Sequence, residues 1–106
     1  MESEEIDLHD AILEGFSVLY GEKSAVIDIA FYQDQTESKE RTSAQIIFAG
    51  VERINEVSDL IHLEQNKFAG NVAYWHPAAG KGTTYIYLVS GVLAITAQSV
   101  EVRVNA

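Results

Sequence analysis

A chain of 106 residues, 47% hydrophobic and 22% charged, has the length and composition of one globular domain, which we place over residues 1–106. It contains no cysteine, which excludes a disulfide framework, a thiolate zinc site and a cysteine nucleophile. The formal net charge of −9 repels phosphate backbones and anionic lipid headgroups, so we expect neither nucleic acid nor a membrane as a partner.

The first ten residues, MESEEIDLHD, are acidic where a signal peptide has a basic start followed by an apolar run. No later stretch approaches the roughly 18 consecutive apolar residues that a membrane-spanning helix needs. We therefore expect a cytoplasmic protein.

Two strands are predicted next, joined by a turn at residues 21–23. In AILEGFSVLY the apolar residues change phase at Gly15, as a β-bulge at this glycine would produce. In SAVIDIAFYQ, residues 24–33, apolar and other side chains alternate, which is typical of a half-buried strand. Together they predict a β-hairpin.

The polar segment QDQTESKE reads as a loop, and RTSAQIIFAG reads as a third antiparallel strand. From Val51 onward, apolar residues recur every three or four positions, a spacing that predicts a short helix near 52–64. The acidic residues of this helix would face water as an acidic patch formed by Glu52, Glu56 and Asp59.

Beyond Lys67 the pattern returns to strands: NVAYWH, the turn-rich PAAGKG, TTYIYLV, VLAITA and SVEVRV. The fold class is therefore mainly β (α+β), with about seven antiparallel strands and one short helix. Consecutive hairpins of this kind favour a meander that forms a barrel or a sandwich.

The sequence DLHD contains the cluster most suggestive of chemistry, Asp7, His9 and Asp10. An imidazole beside carboxylates could ligate a metal, which makes His9 and Asp10 candidate ligands, with further ligands from His62 or His76. The alternative is that His9 and Asp10 anchor the N-terminal segment by hydrogen bonds where the first strand begins. The spacing is not specific for metal, and we predict no metal or other cofactor.

Aromatic side chains are concentrated on two strands that we expect to pair. If Ile86 and Leu88 face the core, the tyrosines of the same strand point outward. Aromatic rings with polar tips suit the recognition of a partner or a small ligand, or they could cover a dimer interface. The predicted ligand or partner surface consists of Tyr74, Trp75, His76, Tyr85 and Tyr87.

Signatures of catalysis are missing from the chain. There is no Gly-x-Ser-x-Gly elbow and no His-Glu-x-x-His, and in AAGKGTT a strand rather than a helix follows the glycine, unlike a phosphate-binding loop. Paired carboxylates of the kind that hydrolyse glycosides remain open, because such pairs need not be close in sequence. The balance favours a protein that is not an enzyme.

Three segments, LHDAILEGF, IIFAGVERI and SGVLAITAQSVEV, together resemble a layout found in small uncharacterised bacterial domains, some of which resemble immunity proteins of toxin systems. The resemblance covers most of the chain. It implies a β-rich fold and a bacterial cytoplasmic setting, and it transfers no catalytic residue.

Charge suggests what kind of partner such a domain would bind. Residues 1–64 carry 15 acidic and four basic residues, a net of −11, whereas residues 65–106 have a net of +2. A binding module for a basic protein partner, similar to an immunity protein, is the leading hypothesis. Two alternatives stay open: a small-ligand binder or enzyme that uses the aromatic strands 72–76 and 84–89, and a homodimer or other homo-oligomeric assembly domain.

Overall fold

The computed structural model describes residues 8–9, 11–32, 41–58, 72–89 and 91–104, with residues 57 and 58 described by their backbone alone. These residues form six strands: β1 (Ile12–Leu19), β2 (Ser24–Phe31), β3 (Thr42–Ser58), β4 (Val72–His76), β5 (Gly82–Leu88) and β6 (Gly91–Val104). All pair antiparallel in one open sheet of order β1-β2-β3-β6-β5-β4. The prediction of a mainly β protein is confirmed. The described residues contain no helix long and apolar enough to cross a membrane.

The sheet divides into two parts, because β3 and β6, with 17 and 14 residues, are much longer than the other four strands, which have five to eight. The first half-sheet contains β1, β2, residues 42–49 of β3 and residues 99–104 of β6. The second half-sheet contains β4, β5, residues 51–58 of β3 and residues 91–97 of β6. The two parts meet at Gly50, next to a register shift between Val51 and Arg53.

A side chain at position 50 would clash with Gln98. The φ of Gly50, +63°, lies in the left-handed region that favours glycine. A Cβ atom at this position would come within 2.5 Å of the Gln98 Cγ atom and 2.8 Å of its Cβ atom. Glycine is therefore favoured at the junction between the two half-sheets.

The β1–β2 hairpin follows the sequence prediction closely. The register shifts between Leu13 and Gly15, so the predicted bulge at Gly15 is confirmed. In the turn, the Lys23 amide donates to the Tyr20 carbonyl at 3.2 Å. Lys23 itself adopts a φ of 53°, a conformation that costs a non-glycine residue about 1 kcal/mol.

The core lies on one face of the whole sheet, which we call the inner face. Each half-sheet contributes alternate residues, among them Ile27, Ile46 and Phe48 from the first and Ile86 and Leu93 from the second. They belong to one continuous hydrophobic cluster. The two half-sheets therefore share one core.

The predicted helix near residues 52–64 is wrong over residues 52–58, which continue strand β3. Val51 pairs with Ala97 and Ile54 pairs with Ile95, and both pack against the core. The extra residue at the bulge between them keeps both on the inner face although they are three positions apart. That spacing resembles the spacing of a helix. Residues 59–64 lie outside the described residues.

Two further details of the predicted architecture differ. VLAITA and SVEVRV form one continuous strand, β6, rather than two, so the described chain has six strands and not seven. The described strands form a single open sheet, and no barrel or sandwich is observed among them.

A short N-terminal segment lies between the two outermost strands. The Ala11 carbonyl accepts a hydrogen bond from the Val72 amide at 2.7 Å, and His9 Nδ1 lies 3.0 Å from the Ala73 carbonyl oxygen. Because a carbonyl oxygen only accepts, Nδ1 is the protonated ring nitrogen in this contact. Leu8 and Ala11 are fully buried. The start of β1 is thereby attached to β4 at the opposite end of the sheet order.

Candidate functional site

An aromatic surface covers the outer side of the second half-sheet, opposite the core. It consists of Tyr74 and His76 from β4 and of Tyr85 and Tyr87 from β5, and we call it the aromatic face. Tyr74 is 51% exposed and Tyr85 is 41% exposed, whereas Ile86 between the two β5 tyrosines is buried. Alternation along β5 therefore directs the tyrosines outward, away from the core.

Strand pairing holds the four rings in contact. Tyr74 is opposite Tyr87 and His76 is opposite Tyr85 in the β4–β5 register. The Tyr74 and Tyr87 rings stack with centroids 4.5 Å apart and planes 18° apart, and Tyr85 lies 6.2 Å from Tyr87 at 15°. The His76 ring stands nearly perpendicular to Tyr74 at 5.4 Å and to Tyr87 at 6.1 Å. Each such contact stabilises the arrangement by about 0.5–1.5 kcal/mol beyond area burial.

A bulge in β4 decides which of its aromatic residues join this surface. The register shifts between Val72 and Tyr74, so Val72 and Trp75, three positions apart, both face the core. Trp75 is only 8% exposed. The predicted surface is corrected accordingly: Tyr74, His76, Tyr85 and Tyr87 lie together, and Trp75 belongs to the core.

Small residues of β6 border the aromatic face. Tyr85 pairs with Ala94 and Tyr87 pairs with Val92, so no large side chain stands beside the tyrosines on that strand. One row further along, the Thr83 and Thr96 hydroxyl oxygens are hydrogen-bonded at 2.7 Å. The sheet thus exposes ring faces and edges in a shallow, mostly apolar area with polar groups at its margin.

Of the DLHD motif, the structure describes Leu8 and His9. His9 Nδ1 lies 3.0 Å from the Ala73 carbonyl oxygen, a contact of the kind that the anchoring alternative proposes for His9. Asp7, Asp10 and His62 lie outside the described residues. Among the described residues, no group of three or more histidine or acidic side chains could hold a metal ion.

The predicted acidic patch is placed on a strand instead of a helix. Glu52 and Glu56 are exposed on β3, and Asp59 lies outside the described residues. The Glu52 carboxylate accepts a hydrogen bond from Gln98 Nε2 at 2.6 Å. The described residues carry six acidic and five basic side chains, so eight of the nine net negative charges lie outside them. The described sheet is therefore close to neutral.

Sequence reasoning missed a cavity of about 480 Å³ between the β1–β2 hairpin and residues 51–56 of β3. It exists because β2 starts at Ser24 and pairs with β3 only as far as Ala49, while β3 continues to Ser58. No local sequence signal marks a site formed by strands of unequal length. Its lining residues are Phe16, Val18, Leu19, Tyr20, Lys23, Ser24, Val51, Glu52, Arg53, Ile54 and Glu56.

Comparisons with protein-family models, with the curated proteins and with the solved structures return no match for this chain. The aromatic face and the cavity are therefore the features from which a function can be proposed.

Proposed function

We propose that this protein is a non-enzymatic binding module that contacts a protein partner through the aromatic face. The observation that carries the proposal is the set of three nearly parallel tyrosine rings on the outer side of the second half-sheet, two of them more than 40% exposed. The hydrophobic core lies on the inner face, so the sheet does not need these outward-facing tyrosines to build it.

These rings are already ordered in the free protein, which favours recognition of a partner. Tyrosine provides a large contact area together with a hydroxyl group, and it is enriched among the residues that dominate binding energies. Stacking between Tyr74 and Tyr87 restricts both side chains before any partner arrives. Less side-chain entropy is then lost on association, so more of the contact energy is available for affinity.

Charge supports a basic partner. The net of −11 over residues 1–64 would accelerate the encounter with a positively charged protein, although most of these acids lie outside the described residues. The resemblance of three segments to small bacterial domains that include proteins resembling toxin-immunity proteins supports the same type of role. Neutralising or sequestering a basic protein in the bacterial cytoplasm is the activity we propose.

The proposal is tested by capturing a partner from a bacterial lysate at low salt and measuring its affinity by titration calorimetry. Replacing both exposed tyrosines, Tyr74→Ser and Tyr85→Ser, should weaken binding at least about tenfold, since truncated hot-spot residues each cost more than ~1 kcal/mol. A matched control replaces the exposed ion pair Glu101→Ser and Arg103→Ser, which leaves net charge unchanged and lies on the first half-sheet.

Thermal unfolding of both double variants checks that the fold is retained. Equal affinity of the tyrosine variant and the native protein would contradict the aromatic face as the binding site. Recovery of no basic protein at low salt would count against the partner class.

The same face supports a second candidate, assembly of two copies of this chain. A two-fold interface places one patch against itself, and stacked tyrosines suit such contact. Light scattering distinguishes the two functions: a dimer that becomes monomeric on the Tyr74→Ser and Tyr85→Ser exchange supports assembly, and a native monomer excludes it.

A further inference from the structure

The cavity beside the β1–β2 hairpin has an apolar floor that no described side chain fills. Phe16 and Val18 pair with the buried Ile27 and Ala25, so they lie on the inner face. They are only partly buried, as are Val51 and Ile54 on the opposite wall. A volume of about 480 Å³ is within the range of sites that hold small organic ligands.

The rim of the cavity carries charges of both signs, and they differ in what they contact. On the acidic side, Glu52 is hydrogen-bonded by Gln98, and Glu56 is exposed. On the basic side, the exposed side chain of Lys23 makes no hydrogen bond or ion pair with the described part of the chain. Arg53 also lines the cavity, but it lies next to the inner-facing Ile54 and pairs with Thr96, so its side chain is directed to the outer face. The cation that could still gain a partner at the rim is therefore the Lys23 ammonium group.

The backbone at Lys23 is an independent observation. Its φ of 53° is the left-handed conformation in which turns ordinarily have glycine or asparagine. The lysine carbonyl accepts from the Val51 amide at 2.7 Å, which fixes this residue against the wall of the cavity. A strained position occupied by a charged side chain is the kind of outlier from which a functional role is inferred.

We propose that this cavity binds an amphipathic anion, with its apolar body against Phe16, Val18, Val51 and Ile54 and its carboxylate at Lys23. A free medium-chain carboxylate has this chemistry. The cavity shares no residue with the aromatic face, so this site is separate from the proposed protein-binding surface.

The test uses the native protein and three ten-carbon probes that differ in their end group: decanoate, decylammonium and 1-decanol. Calorimetry gives each dissociation constant, and amide chemical-shift changes locate each probe. We expect decanoate to bind most tightly and to shift the amides of Ser24, Val51 and Arg53, while those of the aromatic face stay in place.

A pair of variants isolates the lysine. Lys23→Asn keeps a residue that tolerates the left-handed conformation, and Lys81→Asn makes the same charge change in the β4–β5 turn, away from the cavity. Lys23→Asn should weaken decanoate about fivefold, as the loss of one exposed charge pair would, and leave 1-decanol unchanged. Lys81→Asn should alter neither, and Lys23→Arg should retain decanoate binding.

The proposal is overturned if decanoate does not saturate the protein or shifts the aromatic face instead. It is also overturned if decylammonium binds more tightly than decanoate, or if the two asparagine variants weaken decanoate equally.

Discussion

The two half-sheets have similar inner faces and different outer faces. Inside, both contribute alternate aliphatic residues to one hydrophobic cluster. Outside, the first half-sheet carries polar pairs, in which Gln45 Nε2 donates to Asp28 at 3.1 Å and Arg103 contacts Glu101 at 3.0 Å. The second half-sheet carries stacked tyrosines. The inner positions determine the fold, and the outer positions are where one half acquired a surface suited to binding.

The largest expected changes in stability test whether the two half-sheets unfold together. Phe48→Ala in the first half-sheet should lower the free energy of unfolding by about 3–5 kcal/mol, and Ile86→Ala in the second by about 2–5 kcal/mol, because both remove fully packed side chains. Each change should shift one common transition, since both residues belong to one cluster.

Urea denaturation measures this, with far-ultraviolet circular dichroism reporting on all strands and the single tryptophan, Trp75, reporting on the second half-sheet. Separate transitions for the two signals, with each variant affecting only one, would show that the halves are independent units.

An intermediate effect is expected at the junction between the halves. Gly50→Ala should cost about 1–3 kcal/mol, because alanine at positive φ is strained and its methyl group would overlap Gln98. Gly21→Ala is the matched control, since no atom lies within 4 Å of the added Cβ. Thermal and urea unfolding compare the two. An equal, small effect of both substitutions would mean that the junction adapts without needing glycine.

The smallest expected loss of stability concerns the turn between β4 and β5, next to the aromatic face. Thr84 is buried on the inner face, and its hydroxyl accepts a hydrogen bond from the Ala78 amide at 3.1 Å. Thr84→Val keeps the volume and removes the acceptor, so stability should fall by about 1 kcal/mol. Exchange of the Ala78 amide hydrogen should also become faster.

Thr83→Val provides the control for the Ala78 measurement, since the Thr83 hydroxyl contacts Thr96 instead. If Ala78 exchanges at the native rate in Thr84→Val, the hydroxyl does not hold this turn.

Where the side-chain period stays at two, the sequence predicts the structure well. The alternation of β2 and the outward direction of Tyr85 and Tyr87 both follow from that period. The bulge at Gly15 was also predictable, because a glycine marks the change of phase.

Prediction from the sequence fails at three places where the spacing of core residues changes from two to three. Val51 and Ile54, Val72 and Trp75, and Ala97 and Val100 are each three positions apart, and all six residues belong to or pack against the core. A register shift produces this spacing in the first two pairs, and the third pair lies opposite the junction at Gly50. No marker residue lies between the members of any pair. The first pair therefore resembled a helix, the second left Trp75 on the wrong face, and the third divided β6 into two strands.

The cavity could not be predicted at all from local pattern. It depends on where β2 begins relative to the end of β3, and strand lengths of this kind are set by pairing across the sheet. Lys23 and Arg53 are 30 positions apart in the chain, and nothing in the residues around either of them indicates that both line one cavity.

Pairing between β3 and β6 also determines how the chain can reach this structure. Ala44 pairs with Val104, sixty positions later, whereas the β1–β2 hairpin closes across a four-residue turn. Forming the central pair requires closing a long loop before any contact compensates for the entropy lost, which makes such topologies slow to fold. Both half-sheets need this pair, so neither acquires its complete complement of strands until residues far apart in sequence have met.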